Sequence, residues 1–150
     1  MVSGESPGRK EPMLPQLLKF AGKVSIPSDD NDKRNFWLGA VAIRRDGCIV
    51  KAKNGAVMAN SMSNNSTAFP PAHAEARCLK KAGRGAILFV ARVNRKTKQL
   101  AMARPCHHCV KILYSYEVER CYFSISPNEY GVWTPESERI KLYDDNFTVE

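Results

Sequence analysis

The sequence has no apolar run long enough to cross a membrane, and its first residues lack the apolar stretch of a secretory signal. Crossing a bilayer as a helix takes about 18 or more apolar residues, and no such run occurs in the 150 residues. Residues 1–12 are polar and rich in Gly, Pro and Ser, which is typical of a flexible tail. We therefore expect a cytoplasmic protein with no membrane contact, and a single domain over residues 13–150.

Cysteines are few and odd in number. The five are Cys48, Cys78, Cys106, Cys109 and Cys121. An odd number without an export signal argues against a disulfide scaffold, so metal binding or catalysis is the better interpretation of any cysteine pair.

Acidic residues are also scarce relative to basic ones. The chain has 15 Asp and Glu against 23 Lys and Arg, a formal net charge of +8. That balance favours partners that carry phosphate. Because no long basic run marks one face, a basic surface without a specific partner fits equally well.

Apolar segments alternate in the order that is typical of an α/β protein. The segment "PMLPQLLKFAGKV" has helical spacing, "FWLGAVAIRRDGCIVKAKNGA" has the pattern of a hairpin, and "AFPPAHAEARCLKKAG" is an amphipathic helix ending near Gly83. A buried strand, "GAILFVARV", is followed by a helix from Pro105–Cys106 to about Glu119 and by a strand, "RCYFSIS". The pattern predicts a three-layer α/β/α domain with a mixed central sheet of about five strands.

The C-terminal part is predicted less directly. The five residues "PNEYG" form a turn, so a fifth strand at "VWT" should be antiparallel to the strand before it. The segment "TPESERIKLYDD" has the pattern of a short last helix capped by Thr134.

Two short segments have the residues of a metal site. Cys106 and Cys109 lie one helical turn apart at a predicted helix N-terminus, where the thiolate that binds zinc is favoured. His73, at the start of the other helix, offers a third ligand. Three protein ligands leave a fourth position for water, which is the arrangement of a catalytic zinc site. Glu75 is close enough to His73 to exchange a proton with that water without binding the metal.

"HAE" followed by "PCHHC" resembles the signature of the zinc-dependent cytidine deaminase superfamily, over roughly residues 13–134. The resemblance implies that Zn²⁺ is bound by His73, Cys106 and Cys109, with Glu75 as the proton shuttle. It also implies that Asn54, just after the second strand, contacts the substrate; a residue of an Asn-Gly turn is the alternative. Related small deaminases assemble as homodimers or homotetramers, so a homo-oligomer is expected.

Other residues have less specific patterns. Phe69 and Tyr130 are weak candidates to flank a base, and packing explains both more simply. We expect His107 and His108 to be exposed, although either one could replace a ligand or orient the substrate. Cys48, Cys78 and Cys121 fit small core residues, and Trp37 and Trp133 fit packing positions.

The function expected from the sequence is hydrolytic deamination of a cytosine nucleoside or nucleotide to the uracil form, with release of ammonia. The alternative is a deaminase of cytosine or adenine in single-stranded DNA or RNA. Two other classes share part of the pattern. A thiol–disulfide oxidoreductase would use Cys106 and Cys109 without metal, and a structural zinc module would need a fourth protein ligand.

Overall fold

A computed structural model describes residues 15–27, 35–53, 74–105 and 107–142, apart from the side chain of His108. The described helices are α1 (Gln16–Val24), α2 (Ala74–Ala82) and α3 (His107–Ser115). The described strands are β1 (Phe36–Ile43), β2 (Ile49–Lys53), β3 (Ile87–Asn94), β4 (Leu100–Ala101), β5 (Arg120–Ser126), β6 (Glu129–Trp133) and β7 (Glu138–Leu142). The tail predicted over residues 1–12 lies outside the described residues.

The helices begin and end where the sequence provides the signals. Pro15 is the N-cap of α1, where its missing N–H costs nothing. Gly83 ends α2 with φ +76°, a conformation that glycine adopts without strain, and its N–H donates to the carbonyl of Leu79 at 2.9 Å. The last turn of α2 carries Lys80 and Lys81, whose charge is favourable there.

The described strands form one mixed sheet in the order β2-β1-β3-β5-β6-β7, and the two-residue β4 pairs with the end of β3. Among the described pairs, β3 and β5 are parallel and all the others are antiparallel. Ser124 joins β4 to both neighbours: its hydroxyl donates to the carbonyl of Ala101 at 2.7 Å and accepts from the N–H of Arg92 at 3.1 Å. The mixed α/β prediction is confirmed, with more strands than expected.

Helices cover both faces of the sheet and produce two apolar clusters. One cluster packs α2 and α3 against the sheet; its largest fully buried side chains are Leu79, Leu88, Leu113 and Phe123. The other packs α1 against the opposite face around Leu18, Val41 and Val93. Successive residues of β3 alternate between the two clusters, as the two-residue period of a strand requires. The three-layer prediction is therefore confirmed.

The end of the chain differs from its prediction. Residues Glu138–Leu142 form β7, antiparallel to β6, rather than a helix. Thr134 does accept N–H bonds, from Glu136 at 3.3 Å and Ser137 at 3.0 Å, as an N-cap residue would. Those bonds close a turn instead. The five residues of β7 then pair with residues of β6, which favours a strand over a helix. The predicted antiparallel fifth strand is confirmed, although it begins at Glu129, two residues inside the predicted turn.

Two further observations concern predictions from the sequence. Cys48 was expected in the core, but it lies exposed in the β1–β2 turn, where its N–H donates to Asp46. The short polar turn between the two strands leaves the residue no apolar layer to enter. Among the described residues, no helix is long and apolar enough to cross a membrane.

Helix α1 lies very close to β1 at Gly39. A Cβ added there would lie 2.3 Å from the carbonyl oxygen of Ala21 and 2.6 Å from the backbone nitrogen of Ser25. Both atoms belong to the backbone, so they cannot rotate away. Gly39 therefore sets how closely α1 packs on the sheet.

We predict that Gly39→Ala lowers the free energy of unfolding by about 3 kcal/mol, since overpacking against rigid atoms typically costs about 1–3 kcal/mol or more. The control is Gly47→Ala. A methyl there would meet nothing within 4 Å, but φ is +94°, so only about 1 kcal/mol of backbone strain is expected. Urea unfolding of both variants gives the comparison. Equal losses would show that α1 has room to move away from β1.

Candidate functional site

Glu75 lies in the first turn of α2, and its side chain is only 4% exposed. The residues around it on α2 are apolar and equally buried: Ala74, Ala76 and Cys78. A carboxylate removed from water is costly unless other groups compensate its charge. A buried glutamate at the start of a helix is therefore unusual, and the partial positive charge of the helix N-terminus favours its ionised form.

Side chains of α2 attach the helix to the edge strand β2. Arg77 Nη1 donates to the carbonyl of Lys53 at 2.8 Å, and Lys81 Nζ donates to the carbonyl of Lys51 at 2.7 Å. Because β2 is the first strand of the sheet, its outer carbonyls would otherwise lack a strand partner. The two hydrogen bonds fix where α2 lies along β2 and how the helix is oriented. They therefore also fix the position of Glu75 relative to the end of β2.

Cys109 lies in the first turn of α3 and is 2% exposed. Helices α2 and α3 pack against the same face of the sheet and contact each other. Both begin at the edge where β3 and β5 end, since each helix precedes one of these two parallel strands. The structure thus confirms that Glu75 and Cys109 lie at helix N-termini on one side of the protein.

Two other buried thiols lie near the charge of Glu75. Burial raises the pKa of Cys78 to about 12; the charge of Lys81 opposes the increase and that of Glu75 adds to it. Complete burial raises the pKa of Cys121 well above its usual range, and Glu75 contributes to that increase as well. Both thiols are fully buried in the cluster of α2 and α3, so they are core residues, as the sequence predicted.

The remaining residues of the predicted site lie outside the described residues. They are Asn54, which follows β2 directly, Phe69, His73, which precedes α2 directly, and Cys106, which precedes α3 directly. Among the described residues, no three His, Cys, Asp or Glu side chains form a cluster that could hold a metal ion. That result is expected, because two of the three predicted ligands are not among them.

The described part of the site fits a zinc ion chemically. Zinc in proteins prefers thiolate and imidazole ligands, and the buried thiol of Cys109 is at a helix N-terminus, which stabilises its thiolate. His73 and Cys106 adjoin the first residues of α2 and α3. These two helices contact each other, so the chain segments that contain the three predicted ligands adjoin neighbouring helices.

Several predictions about neighbouring residues can be compared with the structure. Tyr130 is 4% exposed and packs in the α1 cluster, on the sheet face opposite Glu75, so it does not flank a substrate near that residue. Trp37 and Trp133 are buried in the two clusters, as expected. His107 is exposed at the start of α3.

Two features of the structure were not predicted from the sequence. Arg77 was not singled out, because nothing in "HAEAR" indicates that its guanidinium reaches the end of β2. Arg104, which precedes Pro105, forms an ion pair with Glu138 of β7. The incorrect helix prediction for residues 134–145 concealed this second contact.

Comparison with known proteins gave a family match. Residues 16–125 match the family model described as the cytidine and deoxycytidylate deaminase zinc-binding region. No significant match was found among curated proteins or among solved structures. The matched range runs from the start of α1 into β5 and includes Glu75 and Cys109. Because it spans well over half of the 150 residues, the chain belongs to this family of zinc-binding deaminases.

Proposed function

We propose that the protein is a hydrolytic deaminase that converts a cytosine nucleoside or nucleotide to the uracil form and releases ammonia. Membership of the family makes it a zinc-dependent deaminase; the choice of substrate is our proposal. The observation that carries it is the buried carboxylate of Glu75, at the first turn of a helix that packs beside the helix of Cys109.

In this proposal His73, Cys106 and Cys109 hold the zinc ion. When bound, zinc supplies a Lewis acid that lowers the pKa of water enough for attack at neutral pH. Glu75 is not a ligand. Its place two residues after His73 brings the carboxylate beside the water position, and its burial keeps bulk water from competing for the proton.

Glu75 moves protons while the substrate changes. Its carboxylate accepts a proton as the oxygen of water bonds to C4 of the base, and it gives that proton to the ring nitrogen next to C4. It then accepts the proton of the new hydroxyl group on C4 and gives it to the exocyclic nitrogen. The bond between C4 and that nitrogen breaks, ammonia leaves, and C4 becomes the carbonyl carbon of the uracil form. Asn54, next to the end of β2, is proposed to contact the sugar or the base.

The composition of the fold supports a small substrate. The described helices and strands build the layered fold itself, with no separate nucleic-acid module among them. Arg104 is the basic residue closest in sequence to the Cys106 segment, and it is paired with Glu138, which reduces its attraction for phosphate near the site.

The second candidate is a deaminase of cytosine or adenine in single-stranded nucleic acid. It is favoured by the formal net charge of +8. We also propose a homo-oligomer, supported by exposed apolar residues such as Ile140 and Leu142 on the edge strand β7. The cytoplasmic location stays a prediction from the sequence.

The first prediction about function concerns zinc. Cys106→Ala and Cys109→Ala should each lose the metal and unfold at a lower temperature, because metal binding is coupled to folding. Cys48→Ala is the control, since that thiol is exposed in the β1–β2 turn. Elemental analysis and thermal unfolding give both readouts. Wild-type protein without zinc, but with a reversible disulfide between Cys106 and Cys109, would support the oxidoreductase instead.

The second prediction concerns Glu75. Glu75→Gln keeps the shape of the side chain but removes the base, so turnover should fall by about 10²–10⁴-fold or more. Zinc content and the unfolding temperature should stay near those of the wild type, because the residue is not a ligand. The role fails if the variant turns over at the wild-type rate, or if it loses its zinc.

The third prediction concerns the substrate and is tested by turnover. Purified protein is given cytidine, deoxycytidine, their monophosphates and cytosine-containing single strands of DNA and RNA, at several salt concentrations. A monomer should be deaminated fastest. For a nucleoside kcat/KM should hardly depend on salt, whereas a single strand adds about −0.7 to the logarithmic slope for each neutralised phosphate. Faster deamination of a polymer than of any monomer supports the second candidate.

A further inference from the structure

A cleft of about 580 Å³ lies between the N-terminus of α1 and the strands β5, β6 and β7. We call it the basic cleft. It lies on the sheet face opposite Glu75, because its floor residues Tyr122, Tyr130 and Val132 belong to the α1 cluster. It is therefore separate from the deaminase site.

The charge of the basic cleft has one sign. Three of its described lining residues are cationic, namely Arg120, Arg139 and Lys141, and none of them is acidic. The carboxylate of Glu119 lies 3.7 Å from Arg120 Nη2, but Glu119 does not line the cleft. The hydroxyls of Thr134 and Ser137 add hydrogen-bonding groups. A concave site with these groups recognises an anion.

The three cations are positioned by the register of the sheet. Val132 of β6 pairs with Arg139, and Tyr130 pairs with Lys141, so both cations share the face of the α1 cluster. Arg120 begins β5, two strands away. From strand spacing and rise, the backbones of Arg120 and Lys141 lie roughly 16 Å apart. A row of cations of that length matches successive phosphates along a nucleic-acid strand better than it matches one isolated phosphate.

Aromatic rings form the floor without offering a platform for bases. The rings of Phe89 and Tyr122 are stacked, with 4.8 Å between centroids and 7° between planes. The guanidinium of Arg120 lies 5.9 Å from the centroid of Tyr122, and Tyr130 is almost fully buried. Base stacking requires an open ring face. Recognition in this cleft therefore depends on phosphate, and so is independent of sequence.

The N-terminus of α1 adds to the positive electrostatic potential of the basic cleft. Its N-cap is Pro15, which offers no side-chain acceptor, and its first turn has no acidic residue. The positive end of the helix thus faces a cleft that is already cationic.

We propose that the basic cleft binds the phosphate backbone of single-stranded nucleic acid as a second, non-catalytic contact. The proposal goes beyond the deaminase activity and holds whichever cytosine compound is the substrate. Because the cleft is on the far side of the sheet from Glu75, a strand bound there tethers the protein and does not by itself deliver a base to the active site.

The experiment measures binding of a labelled 15-residue oligodeoxythymidine by fluorescence anisotropy over a range of salt concentrations. Thymine has no exocyclic amine, so the result is independent of deamination. The test variant is Arg139→Glu with Lys141→Glu, on the exposed part of β7. The matched control is Lys80→Glu with Lys96→Glu, which makes the same change in charge outside the cleft. Circular dichroism checks that both variants are folded.

The wild type should bind with a clear salt slope. The test variant should bind more weakly, and its slope should fall by about 1.4, because two contacts of about 0.7 each are lost. The control should keep the wild-type slope, and the charge-conserving variant Arg139→Lys with Lys141→Arg should retain binding.

Four outcomes would overturn the proposal. They are binding without salt dependence, equal losses in test and control variants, displacement of the strand by an equal concentration of thymidine monophosphate, and an unchanged slope in the test variant. The last is expected if residues 143–150, which include Asp144, Asp145 and Glu150, occupy the cleft. Sedimentation supplies one more check: a wild-type dimer that the test variant does not form would make a second copy of the chain the occupant.

Discussion

The parallel pairing of β3 with β5 is the constraint on which the site depends. It places Ile87 beside Arg120 and Val90 beside Phe123, and β2 is also parallel to β3, since each is antiparallel to β1. The chain thus makes two crossovers between parallel strands, in the same direction across the sheet. Such crossovers are right-handed, so α2 and α3 must lie on one face and begin at one edge. The first turns that carry Glu75 and Cys109 lie at the same edge of the sheet for this reason.

Most of the fold could be predicted from the sequence because its signals are local. The long apolar run of β3, the proline before Gln16 and the glycine after Ala82 each indicate an element or its boundary. The two halves of the site were found in the same way, since Glu75 and Cys109 both belong to short, recognisable segments at helix starts. Their burial and their common edge of the sheet agree with that interpretation.

What could not be predicted depends on partners distant in the sequence. Residues Glu138–Leu142 have a weak pattern of their own and become a strand because β6 offers its edge. The hydrogen bond of Arg77 is invisible for the same reason, because its acceptor is a backbone carbonyl 24 residues earlier. The basic cleft follows from strand register, which aligns Arg139 and Lys141 with residues of β6. Cys48 was wrongly predicted to lie in the core, because a short apolar run does not show where the strand ends and the turn begins.

The charged side chains of β7 also discourage another chain from pairing with this edge of the sheet. Arg139 and Lys141 stand on the last strand in the described order, whose backbone could otherwise pair with another chain. Charged side chains on an edge strand discourage such pairing. The same residues thus protect the edge and give the basic cleft its charge.

The hydrogen bond from Arg77 to the carbonyl of Lys53 has a consequence for how this protein can diversify. It joins the last residue of β2 to the first turns of α2, so the chain between them, residues 54–73, starts and ends at one fixed junction. Doubling the length of a loop closed in this way costs only about 0.6 kcal/mol. The length of this segment can therefore change at little cost while Glu75 and its helix keep their place. With the substrate contact proposed for Asn54, selectivity can evolve on one side of this hydrogen bond while the proton shuttle proposed at Glu75 stays fixed on the other.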